Sequence, residues 1–576
     1  MRKICVITLA VFFFAGCGGP EQKKNKELTK FQAWPANIEV RTCPGSFSRE
    51  PGARKIRLEG LSGEILSAQV VVNCSSELEG LSGEISDLSG ERGNVIPAES
   101  ARVRYGAYLP VDETMTLTAD PLLEKETVDV PANQAQSVWL TLKIPAETAP
   151  GNYSGRFAIS ESGGQAEVFD LAVEVLPAAL PAPRQWSFYL NIWQDPSGVA
   201  RAHKVKPWSE EHWALLKLYA SNYAEHGMDV ITAGIVYDPW ESQSGYPYET
   251  TVEWKYPGEF TRGTADKFTW DFTVFDRYVQ LMTEAGVDRK IDCFSMVKGP
   301  GSNKHADIRY LDTRSGRYRD IKITLGDPAW KEIWTVFLPR LREHLKEKGW
   351  YGKAFLAFDE KPRDDMRSIY DFLLSVAPDF KVSIAGGYPG DERKWSDEVI
   401  LHVNELLDER NLAAIAPLIR KMRSEGRYIS FYTACEPYYP NVFLFSRLRE
   451  ARLLPWLAWK YGLSGYLRWA VDAFPEDIWN QPNYKWHSGD MYFVYPGENG
   501  PVDGMRWELF RQGLEDYEAL RIAWDMAQKA GREDLLDKLK AAVEEGTIID
   551  SCSWIPFVGE ARAKVNEVIR ELGKKV

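Results

Sequence analysis

The chain has no CxxC pair, no HExxH, and no glycine-rich nucleotide loop after any strand-like run, so zinc chemistry, thiol redox chemistry and dinucleotide binding all lack their usual sequence supports. Histidine is scarce, at seven in 576 residues, and offers no spaced ligand set, so no metal and no cofactor is expected. A basic excess is also missing: 70 Lys and Arg stand against 82 Asp and Glu, a net charge of −12, which argues against nucleic acid as a partner. With 44% apolar and 26% charged residues, the composition is that of an ordinary globular protein and excludes disorder, collagen and a polytopic membrane protein. Aromatic residues, by contrast, are plentiful. The 21 Trp, 26 Tyr and 25 Phe suit surfaces that stack on sugar rings, although a large core also uses them.

Residues 1–17 read as a targeting segment. Arg2 and Lys3 form a charged start, Ile4 to Ala15 an apolar run too short to span a bilayer, and Ala15-Gly16-Cys17 a small-residue cleavage site. The pattern resembles a bacterial lipoprotein signal, with Phe14 where leucine is usual. It implies an exported cell-envelope protein, periplasmic or on the cell surface, lipidated at Cys17 and touching the membrane only through that anchor. Residues 18–32 are polar and glycine-rich, as a flexible tether should be. Of the remaining cysteines, Cys43 and Cys74 fall in one candidate domain and could pair, which spacing alone leaves open. Oligomeric state is equally open.

Residues 33–178 alternate in period two between turn signals, in NIEVRTC, KIRLEG, SAQVVVNC, RVRYGAYLPV, SVWLTLKIP, NYSGRFAIS and AEVFDLAVEVLP. Short strands at this spacing predict an all-β sandwich. LPAALPAP, residues 176–183, reads as a stiff connector. From 184 to 530 the pattern changes to apolar strands separated by amphipathic helices. WSFYLNIW, DVITAGIV, RKIDCFSM, KAFLAFDE, KVSIAGGY, VILHVNE, RYISFYTA and GYLRWAVD are eight strand candidates, the count of a TIM (β/α)8 barrel. The helical pattern of RWELFRQGLEDYEALRIAWDMAQKAG closes this region, and residues 531–576 form a C-terminal helical segment. The expected class is therefore multidomain α/β, a barrel preceded by a sandwich.

Barrel chemistry sits at the carboxyl ends of the strands. Those ends supply Asn191, Tyr237, Asp359 and Glu360, Tyr388, Tyr432, Trp469 and Asp472, and the fourth strand alone delivers two adjacent carboxylates. Burial and a neighbouring negative charge both raise a carboxyl pKa, so one member of the pair can hold a proton near neutral pH, as a general acid must. The bland alternative is a helix cap ahead of Asp364. Tyr432 and Trp469 are candidates to close a sugar subsite, Tyr237, Trp240 and Tyr388 are weaker ones, Asn191 is a further substrate-binding candidate, and Asp472 either binds hydroxyls or caps a turn. Trp456 and Trp459 read as packing, and Glu508, Glu515 and Asp516, close to Arg506, Arg511 and Arg521, as structural ion pairs.

LGDPAWKEIW, FLPRLREHLKEKGW, FLAFDEKP, CEPYYPN, WLAWKYGLSGYLRWA and SGDMYFVYPG, followed by MRWELFRQGLEDYEAL, resemble in order the catalytic domain of glycoside hydrolase family 123, the β-N-acetylgalactosaminidases. The VWLTLKIPAETAPGNYSG stretch is similar to that family's N-terminal domain. The resemblance implies a TIM-barrel exo-glycosidase that releases terminal β-linked N-acetylgalactosamine from a glycan with retention, using the substrate's own 2-acetamido group as nucleophile. The family's Asp-Glu motif falls on Asp359, which would orient the acetamide and stabilise the oxazolinium, and Glu360, the general acid/base. A β-N-acetylglucosaminidase or broad hexosaminidase would use the same pair, and a non-catalytic glycan-binding lipoprotein is the alternative from another class.

Overall fold

The structure, a computed structural model, describes residues 31–574 except 47–53, 163, 165, 387–395 and 550–556. Cys17, its signal segment and Tyr388 lie outside the described residues. Among those described, no helix is long and apolar enough to cross a membrane.

The N-terminal region forms two facing β-sheets. One has five antiparallel strands in the order Gln32–Ala36, Ile65–Asn73, Ala135–Lys143, Ala101–Val111, Thr116–Leu123. The second is built around the long Ala166–Ala179 strand and its neighbours Lys55–Ser62 and Gly151–Ser160. Alternate residues such as Val70, Val72, Val138, Leu140, Phe157 and Leu171 interlock between the sheets, as period-two patterning requires.

Two sequence expectations are corrected here. NIEVRTC forms no strand. Its buried positions are Glu39 and Thr42, three residues apart, and both are bonded through their side chains rather than in a ladder: Glu39 accepts from the backbone N–H of Val558 (2.9 Å) and Gly559 (2.8 Å), and the Thr42 hydroxyl donates to Gln69 Oε1 (2.9 Å). The connector is also shorter than LPAALPAP, because Leu176 to Ala179 continue the Ala166–Ala179 strand. Cys43 is disulfide-bonded, while the Cys74 sulfur lies 3.5 Å from Ser76 Oγ as a thiol, so these two cysteines are not each other's partners.

All eight expected barrel strands form: β1 (Tyr189–Ile192), β2 (Val230–Gly234), β3 (Lys290–Phe294), β4 (Ala354–Asp359), β5 (Lys381–Ala385), β6 (Glu398–His402), β7 (Tyr428–Tyr432) and β8 (Gly465–Arg468). They run parallel in the order β1-β8-β7-β6-β5-β4-β3-β2. The seam between β1 and β2 is closed by a side chain, since the Gln194 amide donates to Val230 O (3.1 Å) and accepts from Thr232 N (2.8 Å). A small sheet of Glu253–Tyr256, Thr269–Asp271, Ile308–Asp312 and Arg317–Ile321 is inserted around β3. It packs through Trp254, Phe268 and Trp270 against Phe337.

Four helices bind the parts together: α1 (Leu448–Tyr461), α2 (Met505–Lys529), α3 (Glu533–Gly546) and α4 (Val558–Gly573). The α2 charges form ion pairs as expected, and half of these pairs reach beyond the helix. Glu508 pairs with Arg104 of the sandwich and Arg511 of its own helix. Asp516 takes Arg452 of α1 (2.7 Å) and Arg562 of α4 (2.8 Å), and Arg562 also holds Glu64 of the sandwich (2.8 Å). Arg506 holds Asp120, which also accepts from Arg41 (3.1 Å) and from the Tyr495 hydroxyl (2.5 Å). Trp456 is fully buried and donates to Asp516, a packing role.

Because Asp120 is wholly buried between two guanidiniums, its removal strands both. Asp120→Ala should cost about 3–5 kcal/mol. The measurement is a urea midpoint, which should fall sharply; an unchanged midpoint would show that this junction carries no stability.

Candidate active site

Strand β4 runs buried through AFLAF and opens at Asp359. The next residue turns abruptly: Glu360 has φ +39°, in the left-handed region that non-glycine residues avoid. Such a conformation costs on the order of 1–3 kcal/mol and persists only when its surroundings over-determine it. Here they do. Glu360 N donates to Ala385 O at the end of β5 (2.8 Å), Glu360 O accepts from Gly301 N (3.0 Å), and the buried Lys361 ammonium donates to Lys298 O (2.7 Å) and Asn303 O (2.8 Å). Pro362 then starts the Arg363–Val376 helix with no side-chain cap, so neither carboxylate serves as a helix cap.

The turn leaves Asp359 and Glu360 half-buried side by side at the barrel mouth. Burial, and after it the Glu360 charge, pushes the Asp359 carboxyl up to about 7, against a Gln243 hydrogen bond and the Lys361 charge that pull it down. Lys361 is itself pushed down to about 8 by burial, opposed by the Asp359 charge.

Tyr432, at the end of β7 and 5% exposed, donates its hydroxyl to Glu360 Oε1, and His402 from β6 packs edge-on against its ring (5.0 Å, 85°). Trp469, just past β8, is half-buried and donates its indole N–H to Asp490 Oδ1 (2.9 Å). Trp486 meets Trp469 at 6.0 Å and donates to Gln243 O (3.1 Å), so the Asp359 partner and the aromatic wall are tied together. Trp240 backs the wall 6.3 Å from Trp469. Arg468 braces this side from within. Fully buried, it donates to Thr433 O (3.0 Å), Thr433 Oγ1 (2.8 Å), Asn441 Oδ1 (2.7 Å) and Asp490, joining the loops that follow β7 and β8.

The other expected residues have partners of their own. Asp472 is 1% exposed, its oxygens taken by Asp195 N (2.6 Å) and the Tyr223 hydroxyl (2.6 Å), so it is a scaffold group. Asn191 is fully buried inside the barrel and donates to Asp292 Oδ2 (3.2 Å). Tyr237 is half-buried beneath the Arg309 guanidinium, 3.7 Å from its ring centroid. Sequence reasoning missed Gln243, Arg468, Trp486 and Asp490; the last stands in the SGDMYFVYPG stretch, and Gln243 carries no local signal. His226, Asp503 and Glu508 come within 4.8 Å of one another at the domain junction, where Arg104 pairs with both carboxylates.

An eight-stranded parallel barrel with a desolvated carboxylate pair ending one strand and tryptophans walling the mouth has the architecture of a glycoside hydrolase. The glycoside hydrolase 123 catalytic-domain model matches residues 193–523 and that family's N-terminal-domain model residues 47–161; the chain belongs to glycoside hydrolase family 123. It is similar to the solved structure of a family 123 glycoside hydrolase from Clostridium perfringens, at 20% identity and TM-score 0.82 over 95% of this chain and 98% of that one. A Bacteroides ovatus GH5 xyloglucanase is far more distant, at 9% identity and TM-score 0.31 over 80% of this chain and 98% of that one. No curated protein matches the chain.

The raised Asp359 pKa makes a stability prediction. The folded state holds a proton on this group up to about pH 7, the unfolded chain only to its ordinary 3.8, so the group's cost is absent below about 3.8 and grows as pH rises to 7. Asp359→Asn should therefore raise Tm at pH 8, with the advantage shrinking toward pH 4. A Tm difference independent of pH would refute the desolvation account.

Proposed function

We propose that the chain is an exo-acting β-N-acetylgalactosaminidase that works with retention through an oxazolinium formed by the substrate's own acetamide. The observation that carries the reading is the geometry of the carboxylates. A two-carboxylate retaining enzyme needs its acids about 5 Å apart on opposite sides of the anomeric carbon, and an inverting one about 6.5–9.5 Å. Asp359 and Glu360 are consecutive at the end of one strand and approach from one side, while Asp472 and Asp490, two acids that follow β8, are buried and already bonded. Attack by the acetamide carbonyl oxygen needs no second carboxylate opposite the pair.

The steps follow from the wall contacts. Asp359 accepts the acetamide N–H and turns the carbonyl toward C1, and bringing that donor to Asp359 favours its ionised form. Tyr432 holds Glu360 Oε1, so Oε2 faces the glycosidic oxygen and protonates it as the C1–O bond breaks. The cyclised sugar is cationic, and the Asp359 charge stabilises it. Glu360 then deprotonates the water that opens the ring at C1, restoring the acetamide. Trp469 and Trp486 offer faces on which the pyranose stacks. The galacto configuration is supported by family membership, and a glycolipid glycan as the natural substrate by the Clostridium perfringens relative, whose structure concerns glycolipid glycan hydrolysis. The sequence features of residues 1–17 support a lipid-anchored envelope protein.

The test is a leaving-group series of aryl β-N-acetylgalactosaminides, with the gluco epimers alongside. Glu360→Gln should lower kcat/KM about 10²–10⁴-fold for poor leaving groups and far less for activated ones, which need little protonation. Equal losses across the series would overturn the acid assignment, and faster gluco hydrolysis the substrate assignment.

A further inference from the structure

A second concavity lies at the opposite end of the barrel. Tyr189 and Tyr428 begin β1 and β7, and Ser464 precedes β8, so the space they line opens at the amino-terminal end of the strands while Asp359 closes the carboxyl end of β4. Its volume is about 640 Å³, the size of a small-ligand site. Trp459 of α1 and Trp524 of α2 form an angled wall, ring centroids 6.0 Å apart at 63°, and Tyr428 stands half-buried, stacked on Tyr189 at 4.3 Å. Trp459 packs against Tyr517 at 5.1 Å, as the sequence reading expects, and its partly buried ring also lines this space.

The polar lining has one sign. Arg423, Arg427 and Arg521 face the space and, among the described residues, no carboxylate lines it, on a chain whose net charge is −12. Arg427 is paired with Glu425 (2.9 Å), and Arg521 with Glu518 (2.9 Å) and Asp525 (3.4 Å). Arg423 donates only to Gly462 O (3.0 Å) and has no carboxylate partner among the described residues. Tyr517 lines the same space at 9% exposure, and among the described residues its hydroxyl has no hydrogen-bond partner.

We propose that this cavity is a second carbohydrate site, separate from the catalytic mouth, that takes a carboxylated pyranose such as a uronic or sialic acid unit. The tryptophan faces stack the ring, Arg423 pairs with its carboxylate through two parallel N–H donors, and the Tyr517 hydroxyl bonds a ring hydroxyl. A neutral sugar would leave the guanidinium unanswered, and a bare inorganic anion would leave the aromatic wall unused. The site would hold acidic glycans against the enzyme without acting on them, and it does not depend on the proposed reaction.

Calorimetric titration of the full chain tests this with methyl β-glucuronide and the methyl glycoside of N-acetylneuraminic acid, against methyl β-glucoside and sulfate. Saturable binding of at least one acidic sugar is expected, with little from the glucoside or sulfate. Arg423→Ala, a change at an exposed side chain, and Trp524→Ala should each weaken it about tenfold or more while aryl glycoside hydrolysis stays at the wild-type rate. No saturable binding by either acidic sugar, equal affinity in both variants, or sulfate binding as tightly as the sugars would overturn the proposal.

Discussion

Two negative charges on consecutive residues, at the point where a buried strand meets the barrel mouth, repel each other and resist leaving water. The surrounding structure is arranged around that conflict. The left-handed turn at Glu360 separates the two side chains while keeping them adjacent, and backbone bonds to β5 and to the loop after β3 fix it. Lys361 and Gln243 moderate the charge on Asp359 without neutralising it, which leaves the group raised to about 7. Tyr432 fixes Glu360 from the other side. Strain and desolvation of this kind reduce stability, and they are retained where a proton must move at neutral pH.

The frame that tolerates this strain is held by α2. Its charges face three directions at once, to the sandwich through Arg104 and Asp120, to α1 through Arg452, and to α4 through Arg562. The sandwich is therefore bonded to the same helix that follows the β8 loops. Arg468 and Asp490 continue that frame into the pocket wall, so the position of Trp469 depends on groups that never meet the substrate.

The eight barrel strands could be read because parallel barrel strands are buried on both faces and appear as short continuous apolar runs. The acid pair could be read because FLAFDE places two carboxylates directly after such a run. Nearness to a strand end did not separate residues that open to the mouth from residues that turn inward: Asn191 lies one residue before the end of β1 and Asp472 four residues past β8, yet both are sealed in the interior. Gln243, Trp486 and Asp490 come from long loops whose convergence is produced by the fold, and no local pattern marks them. NIEVRTC misled because its apolar alternation is not used: the residues turned inward are Glu39 and Thr42, and Glu39 is bonded across a domain junction.

The central claim is that the nucleophile belongs to the substrate. It is tested most directly by measuring kcat/KM for aryl β-galactosaminides that share one leaving group and carry N-acetyl, N-fluoroacetyl, N-difluoroacetyl or N-trifluoroacetyl groups. Each fluorine withdraws electron density from the carbonyl oxygen, so attack through that oxygen should slow steeply and monotonically along the series. A rate indifferent to fluorination would contradict the account and place the nucleophile on the protein.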